Sequence, residues 1–67
     1  MTSITVNGKA QALAGQPTIT EMLQELGLAE KRVAVELNRE IVPRSLHIET
    51  RLKAGDRIEI VHAIGGG

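Results

Sequence analysis

One segment constrains this chain more than any other. Thr18 is followed three residues later by Glu21, and Ile19, Met22, Leu23 and Leu26 recur at i, i+3, i+4 and i+7. The first pair is a capping box, in which each side chain satisfies a backbone N–H at a helix start. The four apolar residues form a single stripe. Gly27 suits a left-handed C′ position, and Leu28 can fold back on the last turn as in a Schellman stop. The spacing predicts one short helix with one buried face, and that face has to lie on a sheet. A chain of 67 residues has room for one such core, since a domain this small buries only about 60% of its unfolded surface.

The flanking segments read as strands. Ile4-Thr5-Val6 alternates, and Asn7-Gly8 suits the two positive-φ positions of a type I′ hairpin turn. A return strand runs from about Lys9 to Leu13, with small Ala10 and Ala12, before Ala14-Gly15-Gln16-Pro17 breaks it. After the helix, Val33, Val35 and Leu37 alternate with Ala34 and Glu36. Asn38-Arg39 turns the chain into a short strand, Glu40-Ile41-Val42, which Pro43 stops. Ser45 to Leu52 fits a helical turn followed by one extended piece. Lys53-Ala54-Gly55-Asp56 is a turn. In the last strand Ile58, Ile60 and Ile64 share one face, with Glu59, Val61 and Ala63 on the other. The helix serves as a crossover, so strands on either side of it can pair in parallel. The expected class is α+β: a β-grasp with a mixed four- to five-stranded sheet and one main helix packed across it. Residues 1–64 form the expected domain and residues 65–67 a flexible glycine tail.

Composition removes most chemistry from the chain itself. There is no cysteine, hence no disulfide, thiolate metal site or cysteine nucleophile, which also fits a reducing compartment. No aromatic residue offers a stacking platform for single-stranded nucleic acid. Lys plus Arg is 8 and Asp plus Glu is 8, giving a formal net charge of 0. That balance argues against nucleic acid or an anionic membrane as partner. The opening Met1-Thr2-Ser3-Ile4 has neither the basic nor the apolar region of a signal peptide, and no apolar run approaches membrane-spanning length. The expectation is a cytoplasmic protein, monomeric when free. Ser45, His47 and Glu49 include the residue types of a hydrolase triad, but triads converge from separate parts of a fold around a cleft. His47 and His62 lack a metal-ligand spacing and read as surface histidines. No catalytic, cofactor-binding or metal-binding residue is expected in this chain.

Gly65-Gly66-Gly67 follows directly on the last apolar strand. It is no phosphate-binding loop, which needs a helix after its glycines. One reading is a frayed terminus. The other makes the terminal carboxylate the reacting group. Three glycines extend about 10 Å, and without Cβ atoms they thread a narrow enzyme channel and adopt the φ and ψ it imposes. A carboxylate is unreactive until activated as an acyl phosphate, most simply an acyl adenylate made from ATP on a partner enzyme. An amine nucleophile then gives an isopeptide, and a sulfur nucleophile gives a thiocarboxylate.

The chain resembles the sulfur-carrier proteins of thiamine thiazole synthesis (ThiS type), which are ubiquitin-like β-grasp domains. The resemblance runs end to end. It is carried by Ile4-Thr5-Val6-Asn7-Gly8, by Leu23 with Leu26-Gly27-Leu28, and by Val33-Ala34-Val35-Glu36-Leu37-Asn38. It continues through Ile41-Val42-Pro43-Arg44, Gly55-Asp56-Arg57-Ile58-Glu59-Ile60-Val61-His62 and Gly65-Gly66-Gly67. The resemblance implies a co-substrate rather than an enzyme. A ThiF-type adenylyltransferase, using ATP and Mg²⁺, would adenylate Gly67. A cysteine-derived persulfide would convert the adenylate to a thiocarboxylate, and a ThiG-type thiazole synthase would take the sulfur. Gly66 and Gly67 map onto the family's reactive terminus, and Gly65 belongs to the lead. Family members often carry a bulky aromatic where this chain has Ala63. Val61, Ala63 and Ile64, next to the tail, are therefore the expected partner-contacting positions, with His62 a rim residue. The alternatives are a molybdopterin synthase small subunit, with the same terminal chemistry, and a ubiquitin-like modifier conjugated to lysines.

Overall fold

The structure, a computed structural model, describes residues 1–62. The elements in chain order are β1 (Thr2–Val6), β2 (Lys9–Leu13), α1 (Ile19–Glu25), β3 (Val33–Leu37), β4 (Glu40–Val42), a 3₁₀ turn (Arg44–Leu46) and β5 (Arg57–His62). The strands form one five-stranded sheet in the order β2-β1-β5-β3-β4. β1 and β5 pair in parallel at its centre, and the other neighbours are antiparallel. This is the expected β-grasp: two hairpins brought together through a parallel central pair, with the helix on the path between them.

Local chemistry sets both hairpins. Asn7 and Gly8 stand at φ 50° and 83°, and Asn38 and Arg39 at 51° and 74°. Positive φ at both central residues gives the tight turn whose twist matches the flanking strands. Around α1 the capping box closes as the sequence predicts. The Glu21 N–H donates to Thr18 Oγ1 at 3.1 Å, and the Thr18 N–H donates to Glu21 Oε1 at 2.8 Å. At the other end the Gly27 N–H reaches Gln24 O at 3.1 Å and the Leu28 N–H reaches Leu23 O at 2.7 Å. These two bonds, with Gly27 at φ 76°, complete the Schellman stop.

The core lies between α1 and one face of the sheet. Ile19, Met22 and Leu23 from the helix meet Ile4, Leu13, Val35, Ile58 and Ile60 from the strands. Leu52 joins them with no exposed surface, although it belongs to no strand or helix. Its segment is laced to the helix start by backbone bonds from Leu52 N–H to Pro17 O and from Ile19 N–H to Thr50 O, at 2.8 and 3.0 Å. His47 corrects the expectation of a surface histidine: it is only 6% exposed. Its Nε2 lies 3.0 Å from Val42 O, and its backbone O accepts from the Thr20 N–H at 3.2 Å. Burying the ring is tolerable because that hydrogen bond replaces one to water.

Candidate functional site

β5 leads toward the glycines and is held on both sides. On one side, Val33 pairs with His62, Ala34 with Val61, and Glu36 with Glu59 in the β3 register. On the other, the parallel pairing with β1 covers only Thr5↔Arg57 and Val6↔Ile58. Beyond it the Asn7 side chain takes over: Ile60 N–H donates to Asn7 Oδ1 at 2.8 Å, and Asn7 Nδ2 donates to Ile60 O at 3.2 Å. A primary amide presents the same acceptor and donor as a peptide group, so it extends the ladder where the β1 backbone has already turned away. β5 is thereby held on this side as far as Ile60.

Alternation along β5 then sorts its side chains. Ile58 and Ile60 point into the core, while Arg57, Glu59 and Val61 face the opposite, uncovered side of the sheet. Val61 is 57% exposed, so it does not complete the core. Its cross-strand neighbour on that face is the exposed Ala34. One row along, Glu59 stands opposite Glu36, which in turn stands opposite the exposed Ile41. The open face near the end of β5 is thus a small apolar surface beside two carboxylates. Only Val61 of this group was singled out from sequence. Ala34 reads as an outward position from the alternation along β3, and the cross-strand register places it beside Val61 on β5, with Ile41 on the far side of Glu36. Of the remaining expected site residues, Ala63, Ile64, Gly65, Gly66 and Gly67 lie outside the described residues.

The other candidates do not assemble. Ser45 and Glu49 are exposed while His47 is buried, with Nε2 held by a backbone carbonyl rather than by either neighbour. Among the described residues no three potential ligands come together to hold a metal ion. His62 is exposed at the end of β5, as a rim residue would be. Among the described residues no helix is long and apolar enough to cross a membrane.

Known proteins with this arrangement are close at hand. A family model described as the ThiS family matches residues 4–67. A thiazole synthase of Paramagnetospirillum magneticum is 41% identical over 64 residues, covering 96% of this chain and 20% of that protein. The chain spans about a fifth of the length of this relative and of the thiazole synthase of Magnetococcus marinus that it also matches. The sulfur carrier protein ThiS of Bacillus subtilis is 44% identical over 50 residues, covering 75% of this chain and 76% of that one. Among solved structures, the thiamine biosynthesis protein ThiS of Geobacter metallireducens superposes with a TM-score of 0.83 at 38% identity, covering 97% of this chain and 99% of that one. The β-grasp core, the superposition on a ThiS structure and a family match running from residue 4 through the terminal glycines agree: the chain belongs to the ThiS family.

Proposed function

We propose that this protein is a sulfur carrier of thiamine biosynthesis, a co-substrate whose reacting group is the carboxylate of Gly67. The observation that carries the reading is the family match, which extends through Gly67 and so includes the glycines that follow β5. A ThiF-type adenylyltransferase, with ATP and Mg²⁺, converts the carboxylate to an acyl adenylate and releases pyrophosphate. The terminal sulfur of a cysteine-derived persulfide attacks the acyl carbon and expels AMP. A thiol then cleaves the resulting acyl disulfide, leaving the thiocarboxylate and a new disulfide. A ThiG-type thiazole synthase draws the sulfur from that thiocarboxylate. The similarity to two proteins named thiazole synthase supports this choice of acceptor. In this reading Gly65 and Gly66 let the terminus enter a narrow channel, and Val61, Ala63 and Ile64 contact the partner enzymes.

The test is incubation with the adenylyltransferase, ATP, Mg²⁺ and a persulfide donor, followed by fragmentation of the C-terminal peptide. Sulfur is expected on Gly67, with retardation on a mercury-containing gel. Whole-protein mass is insufficient, because replacing O by S adds nearly the same mass as oxidising one of the 2 methionines. A terminus that stays a carboxylate under these conditions overturns the proposal. Ladders of lysine conjugates in cells, in place of the thiocarboxylate, would instead identify a modifier.

A further inference from the structure

A cavity of about 180 Å³ opens between one side of α1, the segment after it, the start of β3 and the 3₁₀ turn. Leu23 and Val33 form part of its wall, and Lys31 and Arg44 line it from separate segments. Local backbone bonds hold the main chain that carries both cations at the rim of the cavity. The Lys31 N–H donates to Leu28 O at 3.0 Å, and Arg44 O accepts from the His47 N–H at 3.0 Å. His47, only 6% exposed, lines the same space. Its Nε2 is held at Val42 O, so in the neutral ring the other nitrogen, Nδ1, is an acceptor and adds no donor for an anion. Thr20 and Gln24 add a hydroxyl and an amide from α1.

What the cavity lacks is as telling as what lines it. The chain has as many acidic as basic side chains, yet no carboxylate lines this space. Two cations lining one partly apolar cavity with no carboxylate in its wall both attract an anion placed there. Several donors on an apolar floor are the composition of a small-ligand site.

We infer that this cavity is an oxyanion site for a phosphate group, with Lys31 and Arg44 supplying the charge. A dianion matches two cations better than a single carboxylate does, and the neutral donors serve its remaining oxygens. The cavity adjoins the end of β5, since Val33 in its wall pairs with His62, the last residue of that strand. The phosphate comes either as the free ion or on a nucleotide. The inference does not rest on the proposed function, because an anion binds here whether or not Gly67 reacts.

The test is titration of the ¹⁵N-labelled full chain with inorganic phosphate and, separately, with AMP, at constant ionic strength set by chloride. Saturable shifts are expected at the amides of residues 20, 24, 31, 44 and 47. Tighter binding of AMP would assign a nucleotide phosphate, and equal or tighter binding of inorganic phosphate would assign the free ion. Arg44→Gln and Lys31→Gln, both at exposed positions, should each weaken binding about tenfold, the size of one charge-assisted hydrogen bond. Arg39→Gln, which removes an exposed arginine lining a different pocket, should leave binding unchanged. Shifts that fail to saturate, or that all three variants share equally, overturn the inference. So does acetate binding more tightly than phosphate, which would assign the cavity to an acidic side chain of a protein partner.

Discussion

At the scale of single residues, Asn7 has two separable roles. Its backbone stands at φ 50°, a conformation that costs most residues energy but suits Asn and Gly. Its side chain holds Ile60, 53 positions away, by two hydrogen bonds. Asn7→Gly keeps the first role and removes the second, leaving the Ile60 N–H and C=O without their partner on a residue only 6% exposed. Urea unfolding should show a loss of about 1–2 kcal/mol, even though glycine is the easier residue for the turn. A stability equal to the parent's would reduce Asn7 to a turn former. Only the turn role was legible in the sequence, because Asn-Gly signals a hairpin from two adjacent residues. The clip depends on a partner most of the chain away. The burial of His47 escapes the sequence for a different reason: its ring partner, Val42 O, is only five residues away, but no residue pattern signals that the turn after Pro43 folds the ring back onto it.

Among elements, legibility follows the range of the bonds that define them. The α1 capping box and Schellman stop close within a few residues, as do both hairpins, and each stands where the residue pattern placed it. The connection from β4 to β5 has no such pattern. Its 3₁₀ turn is local, but the stretch after it is held by Pro17, by Ile19 and by an isolated bridge between Thr18 and Arg51. Those contacts place Leu52 in the core, a role that no periodicity around it announces. Leu52→Ala should therefore cost about 2–5 kcal/mol, as for a helix or strand residue of the core. For a domain this small, whose core is worth about 3–5 kcal/mol, that approaches complete unfolding. Circular dichroism during a urea titration would read it directly. A loss below about 1 kcal/mol, the common effect of an unremarkable substitution, would show that the connection merely covers the sheet.

The whole molecule divides its sheet between two tasks. One face is spent on the core, with Ile4, Val35, Ile58 and Ile60 under α1. The other is left open, and toward the end of β5 it presents Val61, Ala34 and Ile41 with Glu36 and Glu59 beside them. In the proposed carrier role such a division is useful, because one face keeps the fold while the other is free to meet a partner enzyme. The two faces should then respond independently to mutation. Val61→Asp places a third carboxylate on the open face and removes an exposed methyl surface, while touching none of the buried residues. Its unfolding free energy should stay within about 0.5 kcal/mol of the parent. Pyrophosphate release by the adenylyltransferase, measured against carrier concentration, should show KM raised about tenfold, equivalent to about 1.4 kcal/mol of lost docking. The same assay should show kcat unchanged, since the reacting carboxylate is intact and only binding common to ground and transition states has been lost. An unchanged KM in the folded variant would remove Val61 from the docking surface. A fall in kcat at constant KM would mean that Val61 acts on the placement of the terminus rather than on the encounter.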